Sequence, residues 1–551
     1  MQHVKKPARS SAGVAGFVGM LGGSEALAEA FRTIDGVQRL SPEHGRCTLA
    51  YYQRNAPCER ATPETRAVFT GRPFLNGSLL GSAEPDPHET LDGKFAMASL
   101  GPHSVALSTD CLGAGAVYYT EANGAFYFAS HLGLLLKMLP VVPKSNEFAI
   151  AAQLFARAQI FDETHFEGVF RLPAGTSVTA ELDPSDATLK VGKPRGGGMS
   201  ALLAAEAPAF GPGTLMSLLD KGVAREAFGP DSLLMLSGGR DSLAIALADA
   251  PTPPRAATYG ERYSMDFVRG RRRARQLGLK SSAVPYDDWR IDSYHEEIVG
   301  LHAGCSGLQT AHNIVAFDWA QDADVAAVGF LGDALTGAHL GPSADPDEGQ
   351  ALKVLLPNLD DPLLSDSFPE EKAAVKEFVL SRFRELSQDV GGRRALMLLD
   401  LEWRQARWIS MMFDLCEWFV PVAYPFFQRD LIASSLQADQ KALRNQQAYD
   451  EALRHGLSRR NLSLSMHSLY SPRREAWLRA LMRRKRPTSR VDWASVVRRT
   501  GALPRDYFCG HDKLDAVTAR SWQNASSGPA AKIPIACATA AIAAALKRFG
   551  H

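Results

Sequence analysis

The sequence predicts an α/β protein with two successive architectures. Stacked antiparallel β-sheets come first, followed by a doubly wound parallel sheet with a helical C-terminal part. Three observations carry this expectation. Short β-like runs, separated by Gly and Asn/Asp turns, fill residues from about 15 to 190. From about 215 onward, apolar runs alternate with helix-patterned segments, as βα units require. Between these regions, Gly196-Gly-Gly198 opens a Gly/Ala/Pro-rich stretch that reaches Gly213 and offers few residues to anchor a packed element. The expected division is an N-terminal extension 1–14, a first unit 15–193, a linker 194–214 and a second unit 215–551. A chain of 551 residues suits two to three domains.

In the first unit the strand candidates are 95–99, 104–108, 116–119 and 125–130, followed by a helix-compatible segment 147–160. In the second unit they are 233–236, 256–259, 282–285 and 325–330, with helices over 264–277 and 296–320. Beyond 370 the pattern is mostly helical. The longest apolar run, 533–546, is Ala-rich and 14 residues long. It falls short of the ~20 residues that cross a bilayer, so a buried or docking helix is expected there. Residues 1–11 carry Lys5, Lys6 and Arg9 without a following apolar segment, unlike a secretory signal.

Composition is that of a globular protein, 45% hydrophobic and 22% charged, and the net charge of +1 points to neither nucleic acid nor membrane. Charge is uneven locally. Residues 269–275 hold five arginines, and 473–490 form a denser basic run around 483–486. Such runs are solvated helix faces, or a basic rim for a triphosphate, an acidic peptide or another polyanion. Cysteines 47, 58, 111, 305, 416, 509 and 537 form no CxxC pair, which argues for a reducing, cytoplasmic setting.

The most informative stretch is Leu233-Leu-Met-Leu-Ser-Gly-Gly-Arg-Asp-Ser242, an apolar strand, a double-glycine turn and the start of a helix. Gly238 and Gly239 allow close backbone approach to a ligand. Amides at a helix N-terminus favour an anion. Ser237 and Ser242 add hydroxyls, and Asp241 supplies a hard oxygen suited to Mg²⁺. This differs from the Walker pattern, which needs four residues between its glycines and a following Lys. It is a site for pyrophosphate. A second buried-strand run ends in Gly329-Phe-Leu-Gly-Asp333, placing Asp333 at the carboxyl end of a strand. If both strands share one sheet, Asp241 and Asp333 emerge on one rim and can share a Mg²⁺ on the phosphates of ATP.

With both motifs placed, the chain resembles the asparagine synthetase family over most of its length. The 237–242 hexapeptide looks like the loop of N-type ATP pyrophosphatases, which split ATP between its α and β phosphates. Gly329 to Asp333 looks like the turn that closes over ATP. The segment from Asp266 to Gly278 and the element Tyr424-Pro-Phe426 are similar to later family elements. In the first unit, Asp92-Gly-Lys-Phe-Ala96, Asp110-Cys-Leu-Gly-Ala-Gly-Ala-Val-Tyr-Tyr119 and Phe128-Ala-Ser130 resemble the family's glutaminase-type Ntn domain. The resemblance implies ATP and Mg²⁺ as cofactors. It assigns catalysis and the metal to Asp241 and Asp333, and nucleotide contact to Leu236, Ser237, Gly238, Gly239, Asp241, Ser242, Tyr259 and Gly329.

Departures from the family sharpen the expectation. A glutaminase of this type uses an N-terminal Cys, whose free α-amine activates the thiol. Here Ala15-Gly-Phe-Val-Gly19 stands in that place, fourteen residues precede it, and Cys47 is too far along to substitute. No glutamine hydrolysis is therefore expected. Family members without it bring their own amine, as β-lactam synthetases and the macrolactam cyclases of lasso peptide biosynthesis do. Phe330 replaces the Tyr or Glu found three residues before the turn Asp, and Ala334 replaces an acidic residue after it, so a β-lactam synthetase fits less well. The family's late, adenylate-stabilising Lys has no assigned counterpart, although Arg459, Arg460 and Lys485 lie in its region. The resemblance thus implies an AMP- and pyrophosphate-forming carbon–nitrogen ligase, foremost a lasso peptide macrolactam cyclase of antibiotic biosynthesis. Its implied partners are a precursor peptide and a leader-removing protease. Two other readings remain: an asparagine synthetase-like enzyme using free ammonia or another amine on a small-molecule or polysaccharide carboxylate, and a non-catalytic nucleotide-binding protein.

Overall fold

The computed structural model describes residues 16–22, 38–40, 47–52, 60–61, 66–80, 91–226, 228–260, 264–285, 290–340, 345–462, 507, 509–527 and 533–549. Ala15, Cys58, Lys485 and the basic 473–490 run lie outside the described residues.

The N-terminal half forms two six-stranded antiparallel sheets. The first runs Phe170–Arg171, Tyr118–Ala122, Ala125–Ala129, Gly16–Gly22, Cys47–Tyr52, Gln38–Leu40. The second runs Leu189–Val191, Ser177–Leu182, Ser104–Thr109, Phe95–Leu100, Arg66–Gly71, Arg60–Ala61. Alternate residues of both, among them Phe17, Leu49, Val68, Leu107, Phe128 and Val178, fill the layer between the sheets. Gly19 pairs with Phe128, and a Cβ at Gly19 would fall inside that ring, so the closest pairing needs glycine. The Asp110 element is a structural turn. Its carboxylate accepts the amides of Phe95, Leu112, Ala114 and Gly115 at 2.6–3.2 Å.

The C-terminal half holds a five-stranded parallel sheet. Its order is Ser281–Pro285, Arg255–Gly260, Leu233–Met235, Ala326–Ala327, Val422–Ala423. In chain order this is 3-2-1-4-5, so the direction of winding reverses between Leu233–Met235 and Ala326–Ala327. Open α/β sheets bind ligands at such a reversal, beyond the strands' carboxyl ends.

Several expected elements differ in detail. Pairing begins at Tyr118 rather than 116, and the 325–330 run pairs only through Ala326–Ala327 before the chain turns. The helix expected over 296–320 is broken into His295–His302, Leu308–Thr310 and Ala311–Trp319. Ala303 and Gly304 adopt left-handed backbone there, and their carbonyls accept His165 Nε2 at 2.5 Å and Gln153 Nε2 at 2.6 Å. Both partners come from the N-terminal half, so the break is tertiary in origin. The Gly/Ala/Pro-rich stretch also anchors more than expected. It carries the helix Ser200–Ala204, with Leu202 buried and Gln437 Nε2 donating to the Ala205 carbonyl at 2.8 Å. The Ala-rich run forms the helix Ile533–Phe549, largely buried. Among the described residues no helix is long and apolar enough to cross a membrane.

Buried ion pairs join the halves. Lys94, 3% exposed, pairs with Asp414 and with Glu417 at 2.8 Å. Arg72 meets Glu226 at 2.7 Å, and Arg225 meets Asp92 at 2.6 Å. Removing one partner of such a cluster leaves an uncompensated buried charge. Lys94→Met is expected to cost about 3–5 kcal/mol of stability, read as a lower urea midpoint, whereas a surface change such as Lys190→Met should leave the midpoint in place.

Candidate functional site

The site forms where two turns meet at the winding reversal. The first follows Leu233–Met235. Leu236 is buried, with its amide on the Ala257 carbonyl and its own carbonyl accepting Thr258 Oγ1 at 2.9 Å. It therefore positions the loop that follows. Gly239 precedes the helix Arg240–Leu247, whose N-terminus has no side-chain cap. An uncapped helix N-terminus is the kind of end that suits an anion. The loop is braced internally, with Ser237 Oγ accepting the Gly239 amide at 2.9 Å and Ser242 Oγ accepting the Ser237 amide at 3.1 Å. Gly238 lies against Asp266 and Arg269, where a Cβ would approach to 3.0 Å.

The helix Met265–Gln276 contributes Arg273, a fully buried guanidinium whose Nη1 donates to the carbonyls of Gly239 at 2.5 Å and Ser237 at 3.3 Å. This cation orients the loop carbonyls inward. It was read in the sequence only as one of a run of arginines.

The second turn follows Ala326–Ala327. Leu331 sits at φ 74°, a strained conformation for a residue with a side chain, and introduces the short helix Gly332–Leu335. A Cβ at Gly329 would lie 2.6 Å from Asp241 Cβ, and one at Gly332 would overlap the Asp241 carboxyl. The two glycines thus let the turns touch. Asp333 comes beside Asp241, where its backbone amide favours the ionised form of that carboxylate.

A third element completes the rim. Tyr449 donates its hydroxyl to Asp241 Oδ1 at 2.8 Å. Gln446 Nε2 donates to Asp333 Oδ1 at 3.2 Å and to Thr336 Oγ1 at 2.7 Å. Arg240 is tied to Asp450 at 2.9 Å and to the Gln446 carbonyl oxygen. No sequence pattern marked Tyr449 or Gln446, because each reaches the acids only through tertiary packing.

Burial, then the neighbouring Asp333 charge, pushes Asp241 up to about 7, against the Tyr449 hydrogen bond and the Arg240 charge that favour its ionised form. Among the described residues no three His, Cys, Asp or Glu side chains gather as a metal cluster. A two-carboxylate site suits Mg²⁺, which keeps waters and takes its remaining oxygens from phosphates. The uncapped helix end, the glycine approach and the adjoining acids fit a Mg²⁺-bound triphosphate.

The remaining candidates fall elsewhere. Tyr259 ends its strand on the same rim, with its hydroxyl 3.4 Å from Asn313 Oδ1. Phe330 is buried among Phe413 and Tyr424, both at 5.9 Å, and Phe427 at 6.4 Å. Ala334 is buried too. Arg459 and Arg460 donate to the carbonyls of Leu247 and Ala248, at the far end of the helix that begins beside Asp241. That end is about 10 Å from the loop at 1.5 Å per residue, so both arginines cap a helix there. A further polar cluster, His339 with Asp400 at 2.9 Å and Arg404 with the same imidazole at 3.0 Å, sits on the π-helix Asp400–Ile409.

Near the N-terminal strand, the space around Gly16 is filled. A Cβ there would meet Trp418, His131 and Ser130 at 3.1–3.3 Å. The Trp418 indole donates to His131 Nε2 at 3.2 Å. The imidazole proton is then on Nδ1, 2.9 Å from Ser130 Oγ, so His131 is no base toward that hydroxyl.

No family model matches the chain, and no curated protein matches it. Among the solved structures with a slight likeness are two that each match at 10% sequence identity over 49% of this chain. One is described as the allosteric regulatory enzyme of purine biosynthesis, with TM-score 0.22 and 80% of that chain covered. The other is glutamine phosphoribosylpyrophosphate amidotransferase from B. subtilis, complexed with ADP and GMP, with TM-score 0.21 and 65% covered. Neither adds to what the geometry supports.

The raised Asp241 has a signed consequence for stability. Between its ordinary value near 3.8 and about 7, the folded chain keeps a proton that the unfolded chain has lost. Stability therefore falls as pH rises through that window. Asp241→Asn removes this term, so the variant should gain on the wild type from pH 4 to 7 in urea unfolding and show no relative gain below that range.

Proposed function

We propose that this chain is an ATP- and Mg²⁺-dependent carbon–nitrogen ligase that adenylates a substrate carboxylate and closes a lactam with an amine of the same molecule. The substrate we favour is a precursor peptide, as for the macrolactam cyclases of lasso peptides, with a leader-removing protease as companion. The observation that carries the reading is the convergence of Asp241 and Asp333 on one rim, beside an uncapped helix N-terminus against which Gly329 and Gly332 pack.

In this reading the amides that open the Arg240–Leu247 helix bind the phosphates, on a loop whose Ser237 and Gly239 carbonyls the Arg273 guanidinium holds. Asp241 and Asp333 would hold Mg²⁺, which supplies charge neutralisation on the phosphate oxygens. The side-chain carboxylate of the substrate forms a bond to the α-phosphorus as the bond to pyrophosphate breaks. The amine nitrogen then bonds the acyl carbon, AMP departs, and the amine gives up a proton. An α-amine has an ordinary pKa near ~8 and is partly neutral at physiological pH. It needs little help from a side-chain base, which agrees with Phe330 being locked in an aromatic cluster. Catalysis then consists of charge stabilisation and confinement of two groups at one rim.

The test is pyrophosphate release with ATP, Mg²⁺ and a leaderless peptide carrying a free α-amine and an internal Asp or Glu. The expected product is the peptide less one water, together with AMP. Asp241→Asn and Asp333→Asn should each lower the rate at least ~100-fold, the scale of several kcal/mol of lost charge stabilisation. Turnover of free aspartate with ammonia, and none of the peptide, would replace the cyclase reading with the asparagine synthetase-like one. ATP binding without turnover of any carboxylate would favour a non-catalytic protein.

A further inference from the structure

We propose that Tyr449 and Gln446 are the positioning residues of the acid pair, holding Asp241 and Asp333 in the arrangement that takes a divalent cation. The proposal rests on the reading of that pair as cation-holding.

Both donors come from the start of one helix. Gln446 immediately precedes the helix Gln447–Arg459, and Tyr449 stands in its first turn. Each supplies a neutral donor to the Oδ1 of a different acid. Both residues are almost fully buried. Neutral donors at such positions fix a carboxylate's rotation without competing for the cation as a charge would, the usual work of groups behind metal ligands.

The helix itself is placed by the element it serves. It runs beside Arg240–Leu247 in the same direction and is tied to it at both ends. At the start, Tyr449 meets Asp241 and Asp450 meets Arg240. At the finish, Gly456 lies against Leu247, and Arg459 and Arg460 cap the carbonyls there. The splint therefore sets the height of Tyr449 relative to Asp241.

Gln446 is used in both senses. Its carbonyl oxygen accepts from Arg240, while its amide nitrogen serves Asp333 and Thr336. One side chain thus couples the first turn to the second. Asn445 and Gln446 both have left-handed backbone, at φ 50° and 57°. That turn brings the amide back over the rim.

The test uses the full chain and isothermal titration of a non-hydrolysable α,β-methylene ATP, with Mg²⁺ varied and with EDTA. Tyr449→Phe removes one oxygen and keeps the ring. Gln446→Met keeps the length and removes both hydrogen-bonding groups. The expected result in each is a half-saturating Mg²⁺ at least ~10-fold higher, with nucleotide affinity in EDTA unchanged. A purely structural role would lower affinity alike with and without metal, together with the melting temperature, and would overturn the proposal. So would an unchanged Mg²⁺ requirement in both variants. A wild-type chain that binds the analogue with no Mg²⁺ dependence would instead overturn the reading of the acid pair itself, and this inference with it.

Discussion

Two like-charged side chains brought to one rim at the seam of a parallel sheet are the constraint on which the rest of this structure depends. Asp241 and Asp333 repel each other, and burial raises the cost of ionising Asp241 further. The fold nevertheless forces them close, through Gly329 and Gly332 packed on Asp241 and through a strained Leu331 that re-aims the second turn. Strain and repulsion in one small place have to be offset by the surrounding structure. Here the offset comes from Tyr449, Gln446, Arg240 and the Asp333 amide, each a donor or cation facing the pair.

The same economy of charge operates at longer range. Arg273 lies under the 237–242 loop with no exposed surface and turns the loop carbonyls toward itself, away from the ligand side. The halves are joined by Lys94 with Asp414 and Glu417, and the Tyr424 hydroxyl donates to Glu417 at 2.6 Å. Tyr424 packs edge-on against Phe330, a residue of the second turn. A cation from the N-terminal half is thereby linked, through Glu417, Tyr424 and Phe330, to the backbone that presents Asp333.

What the sequence made legible follows from local physics. The strand, turn and helix around 237–242 were readable because apolar strand, paired glycines and hydroxyls stand consecutively, and the parallel sheet because apolar and helical segments alternate after 215. Asp333 was readable because glycine and aspartate follow a buried run. Tyr449 and Gln446 were not, since nothing in 440–459 distinguishes them from other residues of an amphipathic helix. The two-residue strand Val422–Ala423 was hidden in a region of helical pattern, because so short a strand has no period to detect. The break at Ala303 escaped notice for a related reason: its carbonyl partner, His165, is remote in sequence. Arg459 and Arg460, left without an assigned role in the sequence, are helix caps by their geometry.

The strand order also bears on how the chain is made. Ala326–Ala327 pairs on its outer side only with Val422–Ala423, which leaves the ribosome roughly a hundred residues later. At 5–20 residues per second that interval is on the order of 5–20 s, during which the nascent sheet has a bare, wholly apolar margin.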